Sequence, residues 1–297
     1  MVTDKNFYPF KKLVLNFYKN EENLLQAFNL DRVDSGLFDN RQDIKKTERQ
    51  VKVYKSRSYT AIFNAEKDYL NIENRKKIIK ILDFENIFES QEYREAVRPF
   101  GPLSGTWAQS NSFVQINEKY ETKDKVDIPS KLSIVIPNVP QALLVSKEIE
   151  KQLEKRDISA KVTTLEPKNF TNEIRELDYD IVITAFEYGA DPDRYVFWHS
   201  SQIESGLNFT NLESIRMDQA IEKGREELTI SERKKHYDIF QEAFSAESPA
   251  FFILHPAQFL YYKKRILIPD DEIYKPSDIF DNFRQWEVLE KKNFFSD

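Results

Sequence analysis

Acidic side chains follow a predicted buried strand, and they are the first residues of this chain that could do chemistry. The strand reads Tyr-Asp-Ile-Val-Ile-Thr-Ala-Phe, residues 179–186, and Glu187, Tyr188, Asp191 and Asp193 come after it. In open α/β sheets ligands bind beyond the carboxyl ends of the strands, so this segment could hold a cationic or hydroxylated ligand. Asp-Pro-Asp is equally typical of a turn, in which an Asp side chain caps the next helix. The pattern leaves both interpretations open.

Catalysis finds little support in the residue types. A glycosidase pair needs two carboxylates about 5 to 9 Å apart around the bond, and no second acidic site stands out. The chain has no Cys and only six Gly, which excludes thiol chemistry and glycine-based phosphate loops. Its three histidines, His199, His236 and His255, are too far apart in sequence for a zinc-binding pair. We therefore expect no enzyme activity, no cofactor and no metal.

Several aromatic residues could line an apolar pocket, although aromatics at strand and helix spacing usually form core. We expect the core role for Phe240, Phe244 and Phe252. Trp107 is different, because it lies in a loop with Gly and Pro where a large apolar side chain needs a surface to bury against. His255, just before Pro256, could contact a ligand or simply end a strand.

Strands and helices alternate regularly in the second half of the chain. Apolar strands are predicted at 132–137, 158–165 and 179–186, with helices at 140–156 and 169–177 between them. Short connections in a β-α-β-α-β order predict parallel strands with right-handed crossovers. We expect Pro140 in the first turn of its helix, and Asn169 as the cap of the next.

Local patterns predict the remaining elements. Capping boxes at Thr210 and Thr229 predict helix starts, and the second of these helices carries Arg233 on the face of Tyr237. Asn20 is a plausible cap for a short helix. Further strands are expected at 12–18, 51–54, 60–63, 250–254 and 259–268, and further helices at 20–28 and 71–89.

Composition excludes some partners. The 297 residues carry 44 basic and 50 acidic side chains, a formal charge of −6, which gives no basic footprint for nucleic acid. No export signal is expected at the start of the sequence. The uncharged, largely apolar run Ser248–Tyr262 contains two prolines and is shorter than a membrane span.

The order of motifs resembles a known family. Residues 218–225 and 229–233 predict two helices, Glu247–Pro256 follows them, and Asn208 with Phe209 precedes them. This order resembles the C-terminal part of the family 5 extracellular solute-binding proteins, the capture subunits of peptide, nickel and oligosaccharide ABC importers. Residues 17–34, and residues 59–64 with Arg75, are similar to earlier parts of the same family.

The resemblance implies an α/β fold of the periplasmic-binding-protein-like type II. It implies one α/β lobe with a mostly parallel sheet, plus a partial second lobe joined to it by hinge strands. The expected division is a partial lobe I segment at 1–58, the ligand-binding lobe at 59–253 and a return into lobe I at 254–297. The hinges are expected near 59–61 and 251–253, and an upstream part of lobe I is expected to be missing.

The resemblance also implies where a ligand binds. It places the loop after Phe186 at a cleft between two lobes that close over the ligand. The ligand-binding residues expected there are Phe186, Glu187, Tyr188, Asp191, Asp193, Asn208, Phe209, Trp107 and His255. Peptide binders of the family commonly carry an Asp shortly after the aromatic, where this chain has Tyr188 or Gly189. Either Glu187 substitutes for that Asp, or the ligand lacks a free amino terminus.

The implied function is capture of a solute, by default a peptide, for import. The implied partners are the small solute and the ABC transporter permease subunits, with no nucleic acid. The protein is expected to be an extracytoplasmic monomer, held at the membrane by an upstream anchor absent from this chain. The alternative is the ligand-sensing domain of a regulator built on the same lobe, which would need a fused helix-turn-helix.

Overall fold

The computed structural model describes residues 12–44, 47–53, 56–82, 95–110, 128–268 and 285–288. The chain divides into two compact units. The smaller unit combines residues 1–54 with 256–297, and the larger unit is residues 55–255. The segments expected as hinges, 59–61 and 251–253, lie inside two strands of the larger unit.

The helices and strands of the described residues, in chain order, are the following. The α-helices are α1 (Glu21–Asn29), α2 (Ile72–Ile81), α3 (Pro140–Glu154), α4 (Phe170–Glu173), α5 (Tyr195–Trp198), α6 (Ile215–Glu226) and α7 (Ile230–Glu247). The strands are β1 (Ser35–Phe38), β2 (Thr47–Val53), β3 (Arg57–Phe63), β4 (Lys131–Pro137), β5 (Ser159–Leu165), β6 (Ile181–Glu187), β7 (Ala250–Leu254), β8 (Ala257–Lys263), β9 (Ile266–Leu267) and β10 (Glu287–Val288). Short 3-10 turns lie at Asp68–Leu70, Ile174–Glu176 and Ser200–Gln202.

A five-stranded sheet in the order β5-β4-β6-β3-β7 forms the centre of the larger unit. Strand β4 runs parallel to β5 and to β6, as the β-α-β-α-β pattern predicts. Strand β3 is antiparallel to both β6 and β7, so the sheet is mixed. The predicted α/β fold with parallel pairing is therefore confirmed, with one antiparallel strand inside the sheet.

The two faces of this sheet bury separate apolar clusters because successive side chains of a strand point to opposite sides. Ile134, Ile181 and Ile183 pack on one side with residues of α3. Val135, Val182 and Phe186 pack on the other with aromatic residues of α5 and α7. The helices thus cover both faces of the sheet, as parallel strands require.

Helix ends follow their capping residues in three of the predicted cases. Pro140 is the first residue of α3, and the Thr229 side chain accepts a hydrogen bond from the Glu232 amide at the start of α7. Asn20 caps α1 by accepting from the Asn23 amide at 2.9 Å. The other end of α7 is held by the buried Arg75, whose guanidinium donates to the Glu247 and Ser248 carbonyls.

Two predicted caps are wrong. No helix begins at Thr210, because Asn211 adopts a left-handed backbone (φ 50°) and the Thr210 hydroxyl accepts from the Leu212 amide instead. Helix α6 begins later, after Ser214, which caps it. Asn169 precedes α4 without capping it, because its amide donates to the Glu173 carboxylate.

The smaller unit contains a three-stranded antiparallel sheet in the order β1-β8-β2. The predicted strand at 12–18 is wrong: this segment makes no strand pairing, and Val14 and Phe17 are 58% and 93% exposed. Its side chains alternate in type, but neither side of the segment is buried, so the alternation does not produce a strand. The strand predicted at 259–268 is divided into β8 and β9 by a turn at Lys264 and Arg265.

The helix predicted at 71–89 is confirmed as far as Ile81, and its later part lies beyond the described residues. Searching the described helices for a long apolar stretch finds none that would cross a membrane.

Candidate functional site

Three exposed or half-exposed carboxylates lie at the end of β6 and in the loop after it: Glu187, Asp191 and Asp193, which we call the rim carboxylates. Glu187 is the last residue of β6 and lies opposite Arg57 in the antiparallel β3–β6 register. Its Oε2 accepts from Arg57 Nε at 2.9 Å, and its Oε1 accepts from the Ser56 hydroxyl at 3.3 Å. This is an oppositely charged cross-strand pair, which stabilises a strand pairing.

Asp191 forms a two-point ion pair with Arg233 of α7. Its Oδ1 and Oδ2 each lie 2.7 Å from an Arg233 Nη atom, and Oδ1 also accepts from the Asp193 amide at 2.9 Å. Hydrogen bonding to the Arg233 guanidinium holds the pKa of Asp191 below its usual range. Arg233 also donates to the Gly224 carbonyl, so the loop is tied to α6 as well as α7.

Asp193 lies two residues before the first residue of helix α5. Its Oδ1 accepts from the Tyr195 amide at 3.0 Å, and its Oδ2 lies 3.1 Å from Nε of Arg225. The Arg225 guanidinium also covers the Tyr195 ring, at 4.3 Å from the centroid. The side-chain bonds of Asp191 and Asp193 to nearby amides are those of the turn interpretation.

Trp107 reaches the same cluster from the Gly/Pro loop. Its ring lies 6.0 Å from Tyr237 in an edge-on arrangement, and the Arg233 guanidinium lies 5.3 Å from its centroid. Arg233 therefore joins Trp107 to Asp191. The Trp107 side chain buries against Arg233 and Tyr237 and remains 38% exposed.

Phe186, Tyr188 and Phe209 lie in the core, although the sequence predicts them as ligand-binding residues. They are 5%, 5% and 3% exposed. The Phe186 ring packs 4.7 Å from Phe197 and 6.3 Å from Phe209. In this structure their side chains support the loop from below and present almost no surface to a ligand.

Arg194 holds the loop from beneath. The guanidinium is 1% exposed, lies 4.4 Å from the Tyr188 ring centroid and donates to the Asp191 carbonyl at 2.7 Å. It also donates to the Pro102 carbonyl at 3.3 Å, which attaches the Gly/Pro loop to the same base. A buried cation bonded to backbone carbonyls fixes the course of both segments.

Asn208 is also buried, and it organises its own turn. Its amide donates to the His199 carbonyl at 3.0 Å, while its Oδ1 accepts from the Thr210 amide and hydroxyl. Asn208 is 1% exposed, and its predicted contact with a ligand stays a prediction. The structure does not bring Asn208 to the rim carboxylates.

A cavity of about 640 Å³ lies at the other end of β6, where the strand begins. A strand of seven residues spans about 20 Å, so this cavity and the rim carboxylates are separate places. Its lining is mainly polar and comprises Asn64, Glu66, Lys67, Arg175, Leu177, Asp178, Tyr179, Ile203, Glu204, Asn208, Phe209 and Asn211. Burial raises the pKa of the Tyr179 phenol to about 12.

His255 directly follows β7, and its side chain is buried and hydrogen-bonded. Its Nδ1 lies 2.6 Å from the Arg57 carbonyl, which can only accept, so Nδ1 carries the proton. Its Nε2 lies 2.8 Å from the Ser104 hydroxyl, which also accepts from the Phe100 amide. Of the two roles that the sequence leaves open, the structure shows the strand-ending one.

Sequence reasoning did not identify the four arginines that organise this region, Arg57, Arg194, Arg225 and Arg233, as site residues. Arg233 was placed on the correct helix face, but its partner Asp191 is 42 residues away. Arg57 could have been found by pairing strands β3 and β6, since it lies directly opposite Glu187. Within the described ranges, His, Asp and Glu side chains form no group of three that could hold a metal ion.

Comparisons with known proteins agree with this architecture. No family model matches the sequence. The chain is 23% identical over 143 residues to the oligopeptide-binding protein AppA of Bacillus subtilis, an alignment that covers 46% of this chain and 25% of AppA.

Solved structures match over a longer stretch. NikZ from Campylobacter jejuni, in complex with Ni(L-His), superposes with a TM-score of 0.73 at 18% identity, over 90% of this chain and 59% of NikZ. A putative peptide-binding protein AppA from Clostridium difficile gives 0.78 at 19% identity, over 93% of this chain and 60% of its own.

The fold is therefore that of the solute-binding proteins of ABC transporters, and the resemblance to family 5 is confirmed at the level of fold. It is a type II periplasmic-binding-protein-like architecture. The chain spans about three fifths of the length of these solved relatives, 59% and 60%.

Proposed function

We propose that this protein binds a small solute, by default a peptide, and delivers it unaltered to an ABC importer. The observation that carries the proposal is the fold, which the chain shares over 90% or more of its length with proteins that capture solutes. The ligands of these relatives differ, since AppA is an oligopeptide-binding protein and NikZ holds Ni(L-His). Peptide specificity, the permease partners and an extracytoplasmic location are all parts of the proposal.

We place the ligand at the loop after β6. This loop combines polar groups at Glu187, Asp191 and Asp193 with the exposed aromatic surface of Trp107. Binding sites commonly combine an apolar surface with a few placed polar groups. Phe186, Tyr188, Asn208, Phe209 and His255 have a supporting role, because their side chains are buried beneath or beside the loop.

Binding without chemistry agrees with the ion pair of Asp191. General acid-base catalysis needs a group poised to exchange a proton near the working pH. Hydrogen bonding to Arg233 instead lowers the pKa of Asp191, so this carboxylate stays ionised near neutral pH. The aromatic and hydrogen-bonding surface of the loop can hold a solute, and closure over the solute would add affinity by excluding water.

The experiment is native mass spectrometry of the full chain with a pool of tri- to hexapeptides that lack Lys and Arg. We expect peptide complexes, and we expect the peptides to be recovered with unchanged mass. Trp107→Ala should weaken binding about tenfold, because exposed aromatic anchors carry much of the energy at binding sites. Phe17→Ala, which removes an exposed aromatic residue of the smaller unit, is the matched control and should leave binding unchanged.

The proposal fails if no peptide, free amino acid or metal–amino acid complex is retained by the wild-type chain. It also fails if the bound peptides are recovered cleaved.

A further inference from the structure

Every carboxylate oxygen of the rim carboxylates has a hydrogen-bond donor beside it. Glu187 faces Ser56 and Arg57, Asp191 faces Arg233, and both oxygens of Asp193 have a nitrogen within hydrogen-bond distance. All six oxygens therefore lie within 3.3 Å of a donor atom. A ligand ammonium bound here would therefore have to share each carboxylate oxygen with a donor that is already in place.

The arginines around the rim carboxylates outnumber them. Three carboxylates face three ion-pairing guanidinium groups, and the buried Arg194 adds a fourth cation beneath them. A guanidinium carries five N–H donors, and the contact of Arg225 with Asp193 is made through Nε. The Arg225 side chain is 46% exposed, so it is within reach of solvent and of a ligand.

We propose that this loop selects solutes by their carbonyl and carboxylate oxygens, received by guanidinium donors such as Arg225, and not by a cationic amino terminus. This inference rests on the proposed function and names the ligand class for the same site. The sequence left two possibilities, that Glu187 binds the amino terminus of a peptide or that the ligand has no free amino terminus. The inference favours a ligand whose amino terminus is not bound by Glu187. Glu187 is then the cross-strand partner of Arg57 rather than an ammonium anchor.

The test compares three forms of one peptide pool, free of Lys and Arg, by native mass spectrometry with the full chain. The pools are unmodified, N-acetylated and C-amidated. N-acetylation should change the apparent affinity less than about threefold, because each rim carboxylate oxygen already has a hydrogen-bond donor of the protein within 3.3 Å. C-amidation should weaken it about tenfold, the effect of losing one charge-assisted hydrogen bond.

A pair of variants tests the donor. Arg225→Gln should reduce the difference between the unmodified and amidated pools to less than about threefold. Lys223→Gln, a change at an exposed cation of the same helix, should keep the full difference.

Each outcome decides one claim. If N-acetylation weakens binding tenfold or more, the inference is overturned while solute binding stands. If the amidated pool binds as well as the unmodified pool, the guanidinium role is overturned. If none of the pools binds, the inference fails and peptide specificity fails with it. Solute binding is then decided by free amino acids and metal–amino acid complexes, and it fails if the wild-type chain retains none of these either.

Discussion

Arg233 and Asp191 join helix α7 to the loop after β6 through two contacts of 2.7 Å each. Parallel two-point pairing is the strongest geometry for arginine and a carboxylate. Arg233 also contacts Tyr237, Trp107 and the Gly224 carbonyl, so several segments distant in sequence depend on this side chain. We regard it as the residue that fixes the candidate site.

Asp191→Asn should lower the free energy of unfolding by about 1 kcal/mol at pH 7, the scale of a well-formed but partly exposed ion pair. The native pKa of Asp191 lies below its unfolded value of about 3.9. The stabilisation is thus present above that value and is lost as the pH falls through the native pKa. Urea unfolding should show the difference between wild type and variant shrinking below about pH 4.

The control for this measurement is Glu204→Gln, which changes an exposed carboxylate of the cavity at the start of β6. It should leave stability nearly unchanged at pH 7. An Asp191→Asn difference that stays constant from pH 7 to pH 3 would contradict the account.

Gly224→Ala should destabilise the larger unit by at least about 1 kcal/mol, even though Ala is the better helix former. An added Cβ at position 224 would lie 2.8 Å from the Tyr237 ring, where α6 and α7 pack together. Gly189→Ala is the matched control, because a Cβ there would meet open space. Thermal unfolding of both variants would test this, and equal melting temperatures would refute the packing argument.

Ser104→Ala should cost about 1 to 3 kcal/mol, because it leaves His255 Nε2 and the Phe100 amide without their hydroxyl partner in a buried setting. Ser159→Ala, which removes an exposed hydroxyl bonded to the Ser130 carbonyl, should be nearly neutral. Nitrogen-15 NMR of wild type should show His255 as the Nδ1-protonated tautomer. Finding the proton on Nε2 would contradict the assignment.

Tyr179→Phe should change the response to alkali. The native pKa of Tyr179 is about 12, whereas an unfolded Tyr ionises at about 10. The buried neutral phenol therefore contributes stability below about pH 10, and that contribution is lost as the pH rises toward 12. The stability advantage of wild type over Tyr179→Phe, measured by urea unfolding, should shrink across this range. A stability advantage of wild type that grows as the pH rises would contradict this prediction.

Regular elements with one-sided or fully buried patterns were predictable from sequence. Strands β4 and β6 are continuous apolar runs, and α3 has helical spacing after Pro140, so local residues were sufficient to specify them. Residues 12–18 alternate between the two faces that a strand would have, but their side chains remain exposed and no partner strand pairs with them. An alternating pattern alone therefore does not specify a strand.

The candidate site was less predictable because its contacts join distant segments. The sequence predicts a site at the acidic loop after β6, yet it could not show that Asp191 and Asp193 meet Arg233 and Arg225. The Thr210 capping pattern failed for a local reason, since the left-handed backbone at Asn211 interrupts the helix. Burial of Phe186 and Phe209 depends on α5 and on the aromatic core, which no short window contains.

The most direct test of solute binding at the loop after β6 is hydrogen exchange of the full chain, with and without the unmodified peptide pool, read by mass spectrometry. The account predicts slower exchange in residues 187–195 when peptide is present, with residues 64–67 and 203–211 unchanged. Slowing confined to residues 64–67 and 203–211 would instead place the ligand in the cavity at the start of β6. That result would contradict the central claim.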